Sequence, residues 1–123
     1  MQTAKTKGKI GEDLAVKFLT QTNPKIRIIE RNWKCFLGEM DIIAKEDNIL
    51  CFIEVKSRRL ELDQAHEAIT RKKELRLKQL AYAYLKSKNL PLETQIAFHV
   101  VCVDITRQEY RLIKDAFMFS VSM

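Results

Sequence analysis

The sequence predicts an α/β fold in which helices flank a mixed β-sheet, with the elements in the order α-β-β-β-α-β-β. Two segments repeat their apolar residues at helical spacing, and several shorter segments have the apolar or alternating pattern of β-strands. No internal repeat, low-complexity segment or Gly/Ser-rich linker interrupts the 123 residues. A chain of this length can bury a core of its own, so we expect residues 1–123 to form a single domain.

The first element is a predicted helix from Gly8 to about Thr20. Ile10, Leu14 and Phe18 recur every four residues and form one apolar face. Successive side chains are about 100° apart around a helix, which places Glu12 on the shoulder of that face. An Asn-Pro pair follows and ends the helix, because proline disfavours helical geometry in the residue before it.

Three strands are predicted next, and the second and third form a hairpin. IRIIERNW (26–33) is the first strand, and GEMDIIAKE and ILCFIEVKS flank the turn Asp47-Asn48. With two residues in the turn, Asp41 lies directly opposite Glu54. A turn one residue longer would place the two acids on opposite faces, so the prediction depends on the register.

The opposed acids of this hairpin predict a metal site. Directly opposed side chains lie about 4.5–5.5 Å apart at Cβ, and like charges there are destabilising. Two hard oxygen ligands suit Mg²⁺ or Mn²⁺, and Lys56 and Glu39 should emerge on the same face as Asp41 and Glu54. The alternative is a solvent-exposed hairpin on which Lys56 and Glu39 pair, but apolar residues on both faces favour a central strand.

The second half of the chain predicts a long helix and two further strands. The helix extends from about Gln64 to Lys88, and Lys72, Lys73 and Arg76 interrupt its apolar face. AFHVVCVDI (97–105) is continuously apolar, which is typical of a buried central strand. EYRLI (109–113) predicts an edge strand.

The net charge of +6 is unevenly distributed along the chain. Residues 35–55 are predominantly acidic, whereas the segments before and after them are basic. This pattern predicts a polyanion-binding face around a cluster of carboxylates. A solvated, lysine-rich surface is the alternative.

The composition predicts a cytoplasmic protein that does not associate with membranes. The apolar fraction of 46% and the charged fraction of 31% are typical of globular domains. A segment that spans a bilayer needs about 18 consecutive apolar residues, and every apolar run in this sequence is much shorter. The N-terminal residues also lack the apolar run of a signal peptide. Cys35, Cys51 and Cys102 are odd in number and widely spaced, so we expect reduced thiols.

The spacing Asp41-x12-Glu54-x-Lys56 resembles the PD-(D/E)XK nuclease signature, with Met40 where proline usually stands. The order of elements is similar to that of archaeal Holliday-junction resolvases. A closer resemblance, to the YraN-type family of small bacterial proteins, covers nearly the whole chain. It rests on GKIGEDLAVKFL (8–19), RNWK (31–34), GEMDIIAKEDN (38–48), FIEVKSR (52–58), AITRKK (68–73), FHVVCV (98–103) and IKDAF (113–117).

The resemblance implies a restriction-endonuclease-like fold and a divalent-metal-dependent endonuclease. Asp41 and Glu54 match the metal-binding acids, Lys56 the catalytic lysine, and Glu12 the helix acid that completes such sites. The implied cofactor is Mg²⁺ or Mn²⁺. Glu39 has no assured counterpart, so it either supports the metal-binding acids or pairs with Lys56.

The expected partner is nucleic acid, with DNA favoured over RNA and a branched substrate left open. Lys73 matches a basic position that faces the site. The residues expected to contact phosphates are Lys72, Lys73, Arg58 and Arg59. The small chain offers little area for a whole junction, which leaves a homodimer open. The alternative function is a non-catalytic nucleic-acid-binding adaptor, although opposed carboxylates beside phosphates would weaken its binding.

Overall fold

The computed structural model describes residues 4–57 and 71–118. Its elements confirm the predicted fold class and order. They are α1 (Ala4–Thr22), β1 (Ile26–Cys35), β2 (Gly38–Glu46), β3 (Ile49–Ser57), α2 (Arg71–Ser87), β4 (Ile96–Asp104) and β5 (Glu109–Met118).

Within the described ranges, five strands form one mixed sheet in the order β1-β2-β3-β4-β5. Strands β3 and β4 are parallel, and the other neighbouring pairs are antiparallel. Strand β4 is buried along its whole length between β3 and β5, and β5 lies at the edge of the sheet. Both predictions for the C-terminal strands are therefore confirmed.

The hairpin of β2 and β3 has the predicted register near its turn. Glu46 pairs with Ile49 and Ile42 pairs with Ile53, and Asp47 in the turn adopts a left-handed φ of 53°. Beyond the pair of Ile42 and Ile53 the two strands separate, because β2 continues along β1 while β3 continues along β4. Asp41 and Glu54 are the first residues past this separation, so the predicted direct pairing of Asp41 with Glu54 is not formed.

A core lies on each face of the sheet. On the α2 face, Leu80 and Tyr84 pack with Phe52, Phe98 and Met40. The core on the α1 face contains Ala15, Leu19, Ile42, Ile53 and Val101. Together the two helices cover the sheet on both sides, as the continuous apolar pattern of β4 requires.

The strict alternation expected for β2 fails next to Asp41. Ile42 belongs to the core on the α1 face, yet Met40, two residues earlier, belongs to the core on the α2 face. On β1, Arg31 pairs with Ile42 and Trp33 pairs with Met40, and Asn32 between them has a left-handed φ of 56°. Asp41 therefore lies where the alternation of β2 is broken, beside the left-handed residue of β1.

The helices also differ from the predictions at their ends. Helix α1 begins four residues before Gly8 and ends at Thr22. Residues 64–70 of the second predicted helix lie outside the described residues. Helix α2 ends where Asn89 takes a left-handed φ of 56° and the Leu90 amide donates to the Leu85 carbonyl (2.9 Å), a common helix C-terminus. No helix in the described part of the chain is long and apolar enough to cross a membrane.

Candidate metal and nucleic-acid site

Three carboxylates meet where β2 and β3 separate. Oxygen atoms of Glu12, Glu39 and Asp41 all lie within 4.8 Å of one another. Glu12 comes from α1, and the other two come from β2. We call these three residues the carboxylate cluster. Glu12 is distant in sequence from the other two, so the cluster exists only because α1 packs against the sheet.

Close packing of α1 against β3 brings Glu12 to this position. A Cβ atom at Gly11 would lie 2.2 Å from Ser57 Oγ, so the absence of a side chain allows the helix to approach the strand. From β1, Arg31 Nη2 lies 3.7 Å from Glu12 Oε1, and the Asn32 side chain donates a hydrogen bond to the Glu12 carboxylate. Arg31 also contacts Asp13 at 2.6 Å, which fixes the guanidinium beside α1.

The Asp41 side chain replaces a missing backbone contact between β2 and β3. The amide of Val55 donates to Asp41 Oδ2 at 2.8 Å, just past the last paired residues of the two strands. This bond satisfies an amide that would otherwise lack a partner on β2. It also fixes the direction of the carboxylate at the point of separation.

The electrostatics of the cluster favour a bound cation. Burial raises the pKa of Asp41 above its ordinary value, and the carboxylates of Glu54 and Glu39 raise it further, against the Val55 hydrogen bond and Lys73. Burial also raises the pKa of Glu12, followed by the Asp41 carboxylate, against Asn32 and Arg31. Both groups therefore carry a cost of ionisation that a neighbouring positive charge would remove.

Glu54 belongs to a separate contact beside the cluster. Its Oε1 lies 2.7 Å from Lys73 Nζ on α2, so the Lys73 side chain points toward Glu54, in keeping with the position that the resemblance implies. Its Oε2 is buried and has no hydrogen-bond partner among the described residues. A buried carboxylate oxygen without a donor is unfavourable, so this atom is available to a ligand.

These donors fit a hard divalent cation. All of them are carboxylate oxygens, the ligands that Mg²⁺ and Mn²⁺ prefer. The sequence predicted Asp41 and Glu54 as the metal-binding pair, and the structure adds Glu12 and Glu39, whose oxygens lie within 4.8 Å of an Asp41 oxygen and of each other. Glu54 lies near enough to raise the pKa of Asp41, but its Oε1 is bound to Lys73.

The remaining predicted residues lie on β3 and α2. Lys56 is half-buried near the end of β3 and pairs with Cys102 of β4. Lys72 is exposed at the start of α2. A surface depression on this helix is lined by Arg71, Lys72, Lys73, Leu75, Arg76 and Gln79. Arg58 and Arg59 lie outside the described residues.

Sequence reasoning missed the contribution of Arg31 and Asn32. Both residues lie in the RNWK segment, and they are polar where the strand would otherwise continue an apolar pattern. That interruption was the available signal, but it gave no indication that α1 would be the neighbour. Trp33 from the same segment packs edge-on against Tyr84 with ring centroids 5.2 Å apart.

Comparison with known proteins gives consistent matches over most of the chain. A model of the uncharacterised protein family UPF0102 matches residues 11–116. A UPF0102 protein of Lachnoclostridium phytofermentans is 40% identical over 114 residues, which cover 92% of this chain and 93% of the relative. A UPF0102 protein of Moorella thermoacetica is 38% identical over 120 residues, covering 94% and 98%. A third, of Dictyoglomus thermophilum, is 40% identical over 101 residues, covering 81% and 83%.

Proposed function

The chain belongs to the uncharacterised protein family UPF0102, the YraN family that its motifs resemble, and we propose that it is a divalent-metal-dependent endonuclease. The substrate is DNA, branched DNA included, and the reaction is hydrolysis of a phosphodiester bond by water. The observation that carries the proposal is the carboxylate cluster of Glu12, Glu39 and Asp41, whose oxygens lie within 4.8 Å of one another.

The chemistry of the cluster supports this function. Burial and, after it, the repulsion between like charges in close contact raise the pKa of Glu12 and of Asp41, and a bound cation would remove this repulsion. Glu12, Glu39 and Asp41 would hold a divalent ion, and Glu54 Oε2 would offer a further oxygen. When bound there, such an ion supplies Lewis acidity, which polarises a phosphate and lowers the pKa of water.

Three lysines supply the positive charges that the reaction and DNA binding require. Lys56 provides a positive charge that stabilises the negative charge growing on the phosphate oxygens in the transition state. Lys73 holds Glu54 Oε1 at 2.7 Å and so fixes this carboxylate beside Asp41. Lys72, exposed one residue earlier on the same helix, neutralises phosphates of the bound DNA.

The proposal is tested with purified protein and labelled flap, fork, four-way junction and single-stranded DNAs. We expect cleavage of at least one of them with Mn²⁺ or Mg²⁺ and none with EDTA. The Asp41→Asn variant, purified in parallel, should be inactive. DNA binding without metal-dependent cleavage of any substrate would favour the non-catalytic adaptor instead.

A further inference from the structure

One side chain near the carboxylate cluster has no role in the function proposed above. Phe36 is the most exposed large apolar side chain of the described residues, with 93% of its surface accessible to solvent. It lies with Leu37 in the turn between β1 and β2, directly before the strand that carries Glu39 and Asp41. Burial of a phenylalanine side chain stabilises a protein. A phenylalanine that is held in an exposed position therefore suggests a surface that binds a partner.

The residues on both sides of Phe36 are anchored. Cys35 and Leu37 pack against the core on the α2 face, and Cys35 pairs with Gly38 across the turn. The Leu37 amide also contacts Cys35 Sγ at 3.4 Å. The ring of Phe36 is therefore presented to solvent by a turn whose other side chains are held inward, which lowers the entropy lost when the ring binds something.

We propose that Phe36 stacks on an unpaired base of the substrate and selects DNA that contains a branch or a single-stranded segment. The inference rests on the proposed function, because it assigns Phe36 to DNA that is bound at the carboxylate cluster. Aromatic side chains stack on bases of any sequence, since every base has a π-face. Apolar side chains also act as wedges where base steps are unstacked.

The location favours a nucleic acid over a protein partner. Since Cys35 and Leu37 are turned inward, Phe36 is a single apolar group and does not form the contiguous apolar patch typical of a protein interface. Lys34 is exposed on the same hairpin, opposite Glu39 of the carboxylate cluster, and the chain carries a net charge of +6. With a divalent ion on the cluster, Glu39 would be neutralised, and the remaining charge of Lys34 would suit a base that is flanked by phosphates.

The distance from Phe36 to the cluster predicts where the cut falls. A strand rises about 3.3 Å per residue, so Phe36 lies within about 10 Å of Glu39 and about 17 Å of Asp41 along the chain. Nucleotides are spaced about 3.4 Å apart along each strand of a DNA duplex. Cleavage should therefore occur within about five paired nucleotides of the stacked base.

The test measures binding, so that it does not depend on cleavage. A fork with 2-aminopurine at the branch and a fully paired duplex are titrated with protein in EDTA, and again with Ca²⁺. We expect Phe36→Ala to weaken fork binding about 5- to 150-fold, the range for loss of one base–aromatic stack, and to abolish the change in 2-aminopurine fluorescence. Duplex affinity should stay the same, and Phe36→Trp should retain fork binding.

Tyr82→Ala is the matched control, because Tyr82 is another exposed aromatic residue but lies on α2, with Lys86 Nζ 5.5 Å from its ring centroid. It should leave fork binding unchanged.

The proposal is overturned if Phe36→Ala binds the fork as the wild type does, if fork and duplex affinity fall together, or if the wild type does not bind the fork. A change of oligomeric state in Phe36→Ala during sedimentation would also overturn it, because Phe36 would then belong to a protein interface. If the wild-type protein binds the fork selectively but cleaves no substrate, the proposed endonuclease function is contradicted and the proposed role of Phe36 in binding is retained.

Discussion

Lys73 Nζ lies 2.7 Å from Glu54 Oε1, and this ion pair connects the start of α2 to the strand beside the carboxylate cluster. Both side chains are largely shielded, with 25% of the Lys73 side chain and 21% of the Glu54 side chain exposed. Since Glu54 Oε2 has no partner in the described part of the chain, Lys73 provides the stabilising contact that holds this carboxylate. The pair is therefore important for the position of Glu54 in the absence of a metal ion.

Replacing Lys73 should destabilise the metal-free protein. Lys73→Met leaves a shielded carboxylate without its charged donor, and we expect the free energy of unfolding to fall by about 1–3 kcal/mol. Urea denaturation measures this change. Lys72→Met is the control, because Lys72 is exposed on the same helix and its loss should cost less than about 0.5 kcal/mol. Equal losses in the two variants would contradict a special role for Lys73.

Divalent ions should stabilise the protein through the carboxylate cluster. At a Mn²⁺ concentration of about 100 times Kd, linkage predicts about 2.7 kcal/mol of added stability and a higher Tm. Asp41→Asn should abolish this response, and it should raise the Tm of the apo protein because a like-charge contact is removed. Glu93→Gln, which removes an exposed acid of equal charge, should respond as the wild type does. An unchanged Mn²⁺ response in Asp41→Asn would place the ion elsewhere.

Loss of Lys56 should reduce turnover far more than substrate affinity. If its charge acts mainly in the transition state, Lys56→Ala should lower kcat by about 10²- to 10³-fold. Gel-shift affinity for DNA and the Mn²⁺-dependent rise in Tm should be retained. If the Lys56→Ala preparation cleaves DNA as fast as the wild type does, Lys56 has no part in the reaction and the activity comes from a contaminating nuclease.

Lys72 should contact phosphate without reading sequence. Each lost phosphate contact lowers the slope of log affinity against log salt concentration by about one unit. We expect this change for Lys72→Ala, with similar weakening for unrelated sequences, because phosphates carry no base information. Lys86→Ala, exposed at the other end of α2, should leave the slope unchanged. An altered base preference with a constant slope would show that Lys72 contacts bases.

The pair of Tyr84 and Glu30 should make stability depend on pH. The Tyr84 hydroxyl donates to Glu30 Oε2 at 2.7 Å and lowers the pKa of Glu30, with Lys88 contributing at 3.2 Å. A carboxylate with a lowered pKa stabilises the fold above its unfolded pKa of about 4.5, and that stability is lost as the pH falls through the lower folded value. Tyr84→Phe should therefore cost about 1–2 kcal/mol at pH 7.

The difference between Tyr84→Phe and the wild type should shrink as the pH falls below about 4.5, where the unfolded carboxyl is protonated. Urea midpoints measured between pH 3 and pH 7 test this trend. Tyr82→Phe is the control, because Tyr82 is an exposed tyrosine of the same helix. A constant difference across the pH range would mean that packing, and not the hydrogen bond to Glu30, causes the loss.

The sequence by itself determined the features that depend on neighbouring residues. The order of the elements follows from apolar spacing within each segment, and the pairing of Glu46 with Ile49 follows from a turn of two residues. The buried β4 and the edge position of β5 were likewise evident from local apolar pattern. The site-facing position of Lys73 came from the family resemblance and not from the spacing of apolar residues on its helix.

Only the tertiary structure decided which carboxylates meet. Glu12 reaches Asp41 because α1 approaches β3 at Gly11, a contact between residues far apart in sequence. Glu39 joins them, and Glu54 contacts Lys73, at the point where β2 and β3 separate. Alternation along a strand predicts a side chain's face only while the backbone stays regular, and it fails on β2 between Met40 and Ile42, opposite the left-handed Asn32 of β1.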